Sequence, residues 1–166
     1  MEESKCRFDF IKDIDFQLKV DENQDYSKLS SYGVKAVDWF GYTDNGIFFL
    51  EVKSYSDNKL RGNETLEKLR RDLILKLLNS VSFCMLNDCC IDIKRLLFEN
   101  VQLSYVIYLC PPAYGNRKFT PDRIYLYKTR VFRIVENVIK RANLNVDIQF
   151  SYFPKLPPFL ENVGLL

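Results

Sequence analysis

The chain has 166 residues, with 24 Lys and Arg against 22 Asp and Glu and a formal net charge of +2. That length suits one domain with a full core, and 47% hydrophobic with 28% charged residues excludes a disordered or linker-like chain. Histidine is absent, which excludes His general bases, Ser-His-Asp and Cys-His catalysis and His-ligated zinc, so acid–base or metal chemistry must come from Asp, Glu, Lys, Tyr or Cys.

Residues 1–30 carry a mixed signal. Phe8 and Phe10 alternate as in a strand, whereas Phe10, Ile14 and Leu18 recur at helical spacing, and residues 21–25 form a polar turn or loop. From Gly33 the pattern sharpens. Residues 34–42 are rich in β-branched and aromatic side chains, Asp44-Asn45-Gly46 is a strong turn, and residues 47–55 read as a second strand; together they predict a β-hairpin. Asn63-Glu64-Thr65-Leu66 opens a helix, with Asn63 as its N-cap and Leu66, Leu69, Leu73, Leu77 and Val81 along one apolar face. A short helix follows at 92–98, then a buried strand at 101–110 stopped by Pro111-Pro112. Thr120-Pro121-Asp122 starts a second long helix, running to about Ala142 on Ile124, Tyr127, Val131, Val135 and Val138. Residues 146–153 read as a last strand. The tail, 153–166, is apolar without periodicity and either closes over the core or docks a partner. Hairpin, helix, strand, helix, strand predicts a single α/β domain over 1–166, a mixed central β-sheet flanked by helices.

The cysteines Cys6, Cys84, Cys89, Cys90 and Cys110 contain no CxxC pair, and several sit among apolar residues, as buried reduced thiols do. Met1-Glu2-Glu3-Ser4-Lys5 has no signal-peptide pattern, and no apolar run approaches the roughly 18 residues of a membrane span. The expectation is a soluble cytoplasmic protein.

Charge is unevenly distributed. Residues 1–58 hold 7 basic and 12 acidic residues, whereas 59–166 hold 17 basic and 10 acidic; the window 117–141 alone has 8 basic and 2 acidic. An acidic front half and a basic back half fit a cation site beside a polyanion-binding surface; a solvated helix face is the plainer use of the same charges.

The hairpin carries the chemistry. With Asn45-Gly46 as the turn, Asp38 faces Lys53 and Phe40 faces Glu51; with Asp44-Asn45 as the turn, Asp38 faces Glu51. Either register puts Asp38, Glu51 and Lys53 on one face, because side chains alternate with period two. Ile47 and Phe49 share that face, and Leu50 and Val52 point away. Two neighbouring carboxylates repel, the more so when buried. A divalent cation relieves the repulsion, and hard oxygen ligands suit Mg²⁺ or Mn²⁺, with the backbone carbonyl of Val52 as a further ligand. Lys53 is placed to contact a phosphate oxygen or a water and to stabilise charge. The plainer use of the three residues is a surface ladder of cross-strand ion pairs.

Val37-Asp38, the hairpin and Glu51-Val52-Lys53 resemble the core of the PD-(D/E)XK nuclease superfamily, the restriction-endonuclease-like fold. The resemblance is closest over 33–55 and compatible with the element order over 30–153. It implies Asp38 and Glu51 as metal ligands, Lys53 as the catalytic lysine, and Mg²⁺-dependent hydrolysis of phosphodiester bonds, DNA before RNA and endonuclease before exonuclease. Val37 stands where the family name has Pro. Members often add an acidic residue from a preceding helix; Glu22 and Asp25 are candidates here, with Asp9, Asp13 and Asp15 behind them. The alternative is a non-catalytic module of the same fold that binds nucleic acid or docks into a larger defence, repair or recombination assembly. All three residues of the motif are present, which favours the enzyme.

The expected nucleic-acid contacts are basic. Lys59, Arg61, Lys68, Arg70 and Arg71 follow the motif, and Arg117, Lys118 and Arg123 flank the 111–121 loop, where Tyr114 could stack on a base. A homodimer or a larger protein assembly is a further expectation. Trp39 alternates to the face opposite Asp38 and reads as core.

Overall fold

The computed structural model describes residues 2–3, 6–54, 62–99, 101–110 and 121–165. In chain order they form β1 (Glu2–Glu3), β2 (Cys6–Phe10), β3 (Ile14–Lys19), α1 (Gln24–Ser30), β4 (Trp39–Thr43), β5 (Gly46–Lys53), α2 (Asn63–Leu86), α3 (Ile91–Phe98) and β6 (Leu103–Leu109). There follow α4 (Pro121–Tyr127), a π-helical segment (Lys128–Phe132), α5 (Arg133–Arg141), β7 (Val146–Tyr152) and β8 (Leu160–Leu165).

The main sheet has the order β3-β4-β5-β6-β7. β3, β4 and β5 are antiparallel neighbours; β5, β6 and β7 are parallel. Two successive crossovers in the same direction place their helices on one face, as the common handedness of such connections requires. The buried residues of all five helices accordingly join one cluster with Ile47, Phe49, Tyr105 and Ile107. Tyr105 also donates its hydroxyl to the Leu73 carbonyl at 3.0 Å, fixing α2 against the sheet.

The opposite face is covered by β-structure. β8 pairs antiparallel with β2, and β1 completes a three-stranded sheet. Phe8, Phe159 and Leu160 pack there on Trp39, Phe48, Leu50, Val52 and Tyr108, and the Phe48 and Phe159 rings stack at 4.2 Å. The apolar tail therefore closes over the core. Trp39 is fully buried in this layer.

Thr43 pairs with Gly46, so Asp44 and Asn45 form the hairpin turn. Gly46 has φ +129, a conformation open to glycine, and a Cβ there would run into the Gln102 carbonyl. Several boundaries differ from the sequence reading. Residues 34–37 approach β4 without ladder pairing, so that strand begins at Trp39. Gly62 is the N-cap of α2 and Asn63 its first helical residue. The long helix after Pro121 widens into a π segment, so its buried positions run Tyr127, Val131, Val135, Ile139, and Val138 is left 43% exposed. No single helix among the described residues is long and apolar enough to cross a membrane.

Candidate functional site

The hairpin register brings Asp38 beside Glu51. Trp39 pairs with Leu50, and one position further along the Asp38 amide donates to the Leu50 carbonyl at 3.1 Å. Beyond that point β4 has ended, and the Val52 amide donates instead to Asp38 Oδ2 at 2.6 Å. The Lys53 carbonyl accepts from the Cys110 amide on the β6 side at 2.7 Å. Backbone groups of successive strand residues point to opposite edges, so the Val52 carbonyl lies on the Asp38 side, as a metal-ligand role requires.

The segment before Asp38 is strapped to α2. Ser80 Oγ accepts from the Val37 amide at 2.9 Å and donates to the Lys76 carbonyl at 2.7 Å. Asn79 donates to the Lys35 carbonyl at 2.8 Å, and Lys35 pairs with Asp72 at 3.1 Å. From α1, the Tyr26 hydroxyl accepts from the Ala36 amide at 2.9 Å and donates to the Val34 carbonyl at 3.2 Å. These bonds replace the missing strand pairing and set where the Asp38 carboxylate sits.

Asp38, Glu51 and Lys53 meet on the helix-facing side of the sheet, at the carboxyl end of β5. The Glu51 side chain is wholly buried, and that of Asp38 is 10% exposed. A surface ladder is therefore excluded. Lys53 Nζ pairs with Glu51 Oε1. A fourth residue completes the cluster: Lys76 of α2 donates to Glu51 Oε1 and Oε2 at 2.8 and 2.9 Å and reaches Asp38 Oδ1 at 3.5 Å. Two carboxylates and two ammonium groups thus balance in a mostly buried space, as buried charges must. Sequence reasoning missed Lys76. Its signal was its place three residues after Leu73 and four before Ser80, on the buried stripe of an otherwise apolar helix face.

Asp38 Oδ1 and the Glu51 carboxylate converge on a cation in this structure, the Lys76 ammonium. The oxygen donors fit Mg²⁺ or Mn²⁺, which take one or two carboxylates and complete their shell with water. Among the described residues no three acidic or cysteine side chains are grouped to hold a metal ion. Of the upstream candidates, Glu22 pairs with Lys19, Asp25 with Lys28, and Asp9 accepts from Asn162.

The expected phosphate contacts divide. Arg70 directs Nε and Nη2 to the Arg130 carbonyl at 2.8 and 2.6 Å and Nη1 to Glu67. It anchors α2 to the π segment, whose altered bonding pattern leaves carbonyls to be capped from outside. Arg71 is exposed on α2, and Arg123 is half-buried in the first turn of α4. Lys59, Arg61, Tyr114, Arg117 and Lys118 lie outside the described residues.

Two grooves lie elsewhere. One of about 410 Å³ is lined by Thr43, Asn45, Gln102, Asp147 and Phe159 at the turn end of the hairpin. The other, about 520 Å³, lies between α1 and α2 beside Leu29, Phe83 and Leu86. A thiol cluster sits at the end of α2. Cys89 Sγ lies 3.5 Å from Cys90 Sγ. Burial, then its bond to Cys90, pushes the Cys89 thiol up to about 11. A hydrogen bond with Cys84 holds Cys90 below the usual thiol value, and the same bond, with burial, raises Cys84.

No family model, no curated protein and no solved structure matches this chain.

Proposed function

We propose that the chain is a metal-dependent nuclease on a restriction-endonuclease-like core, hydrolysing phosphodiester bonds with DNA as the first substrate to test. One observation carries this reading: Asp38 and Glu51 present converging carboxylate oxygens at the carboxyl end of a strand, with the Val52 backbone between them and Lys53 beside them. Buried ion clusters contribute little net stability compared with an apolar core of the same volume, so stability alone does not account for this one. The order of hairpin, helix, parallel strand, helix and parallel strand supports the fold assignment.

Asp38 Oδ1 and the Glu51 carboxylate would hold the ion, with the Val52 carbonyl on the same edge. When bound, Mg²⁺ or Mn²⁺ supplies Lewis-acid polarisation of a phosphoryl oxygen and acidifies water for in-line attack. Lys53 stabilises negative charge developing on the phosphoryl oxygens. The chain leaves the sheet beside this point at Ser54 and Cys110, and the basic residues 59, 61, 117 and 118 follow in the two connecting segments. The buried cysteines Cys84 and Cys90, which share a thiol hydrogen bond, suit a reducing, cytoplasmic compartment.

A second reading, a non-catalytic nucleic-acid-binding or docking module, draws on the charge balance: Lys53 and Lys76 already neutralise both carboxylates. Cleavage separates the two. Plasmid, linear and branched DNA and RNA are incubated with Mg²⁺, Mn²⁺ or EDTA. The nuclease cuts at least one substrate with metal and none with EDTA, and loses cutting in Lys53→Ala. Absence of metal-dependent cleavage on every substrate favours the module.

A further inference from the structure

Lys76 occupies the place between the carboxylates. Its three ammonium hydrogens reach three oxygens, both of Glu51 and Oδ1 of Asp38. Lys53 pairs with Glu51 through Oε1. With both lysines seated, the four side chains sum to zero charge; a divalent ion added to them brings a net of two positive charges into a space where Glu51 is wholly buried. Like charges at such separations repel strongly when water is largely excluded. One ammonium must therefore leave when metal enters, and Lys76 is the one whose position coincides with the metal's.

The helix permits this. The α2 backbone at Lys76 is held by Ser80, whose hydroxyl bonds the Lys76 carbonyl and the Val37 amide. Among the described residues the polar contacts of the Lys76 side chain are those of its ammonium, and the side chain is 17% exposed. Its four-carbon stem can withdraw toward solvent without moving the helix. A displaced ammonium is most stable against another anion, and in a nuclease the anion arriving at this point is a substrate phosphate.

We propose that Lys76 is a built-in counter-cation that a divalent metal displaces, and that the displaced ammonium passes to a substrate phosphate, so that metal and nucleic acid bind cooperatively. The proposal rests on the metal-dependent reading of the site. Lys76 is here a positioning residue that sets metal affinity, and its coupling with substrate is reciprocal by linkage.

Calorimetric titration of Ca²⁺ into wild type, Lys76→Met and Lys76→Arg, each alone and with a short DNA duplex, tests it. Wild type binds Ca²⁺ weakly alone and at least about fivefold more tightly with duplex, a coupling at the lower end of the usual range. Lys76→Met binds Ca²⁺ alone at least about fivefold more tightly than wild type, and the duplex adds less than it does in wild type. Lys76→Arg keeps the positive charge and stays weak. Equal Ca²⁺ affinity for wild type and a folded Lys76→Met overturns the proposal. Should Lys76→Met not fold, wild-type affinity unchanged by duplex overturns it. Failure of every protein to bind Ca²⁺ in any arm removes the metal reading itself, and this inference with it.

Discussion

Asp38 Oδ2 accepts the Val52 amide hydrogen at 2.6 Å, so the first half of the motif is bonded to the backbone of the second. The carboxylate takes the place of the next residue in a β-ladder, just where β4 begins. One oxygen is spent on holding the strands together, and the other is turned toward Glu51 and Lys76. Asp38 is thus both a structural acceptor and a candidate ligand.

The two roles separate by substitution. Asp38→Asn keeps an acceptor for the Val52 amide; Asp38→Ala leaves that buried donor unbonded. Losing a buried partner costs about 1–3 kcal/mol. Denaturant unfolding should therefore find Asp38→Ala less stable than Asp38→Asn by about that amount. Equal stability of the two variants would show that the bond to Val52 does not hold the strands.

Arg70 and Arg71 are adjacent in sequence and differ in employment. Arg70 is 17% exposed and bonded to the Arg130 carbonyl and Glu67. Arg70→Ala should lower stability by about 1.5–3 kcal/mol, the range for hydrogen bonds involving a charged group. Arg71 is exposed, and Arg71→Ala should leave the melting temperature unchanged. If α2 tracks a nucleic-acid backbone, Arg71→Ala flattens the slope of log affinity against log salt by about 0.9 for duplex DNA, equally for all sequences because phosphate contacts carry no sequence information. An unchanged slope assigns Arg71 to a solvated helix face.

The thiols should differ in reactivity in a way exposure does not predict. Cys89 is exposed, yet its thiol is pushed up to about 11. The thiolate is the nucleophile, so Cys89 should alkylate slowly at neutral pH and gain about tenfold in rate per pH unit until it nears that value. Mass-spectrometric mapping after iodoacetamide treatment over a pH series measures this. Fast, pH-independent labelling of Cys89 at neutral pH would contradict the cause assigned to the shift.

The middle of the chain was legible because its signals were local. An Asp-Asn-Gly turn between two apolar runs, a leucine stripe from Leu66 to Leu77 and a Pro at the first position of α4 each specify structure through neighbours in sequence. The period-two rule alone put Asp38, Glu51 and Lys53 on one face in either register, and the structure has the register with Asp44-Asn45 as the turn. The termini were not legible. β2 pairs with β8 across most of the chain length, and Phe159 is ordered by rings of Phe10 and Phe48 that no sequence spacing connects to it. The π segment was hidden for another reason: no local residue signal marks it, and only the shift of burial from Val138 to Ile139 betrays it. Lys76 was overlooked because charged residues on a long helix usually face water, whereas here two buried carboxylates draw it inward.

The central claim is that Asp38 and Glu51 hold a divalent ion, and Mn²⁺ titration followed by electron paramagnetic resonance tests it most directly. Wild type should bind Mn²⁺, and Asp38→Asn and Glu51→Gln should each bind at least about tenfold more weakly, since each removes one negative charge beside the ion while keeping the side chain's shape. Equal Mn²⁺ affinity in wild type and both variants would contradict the account.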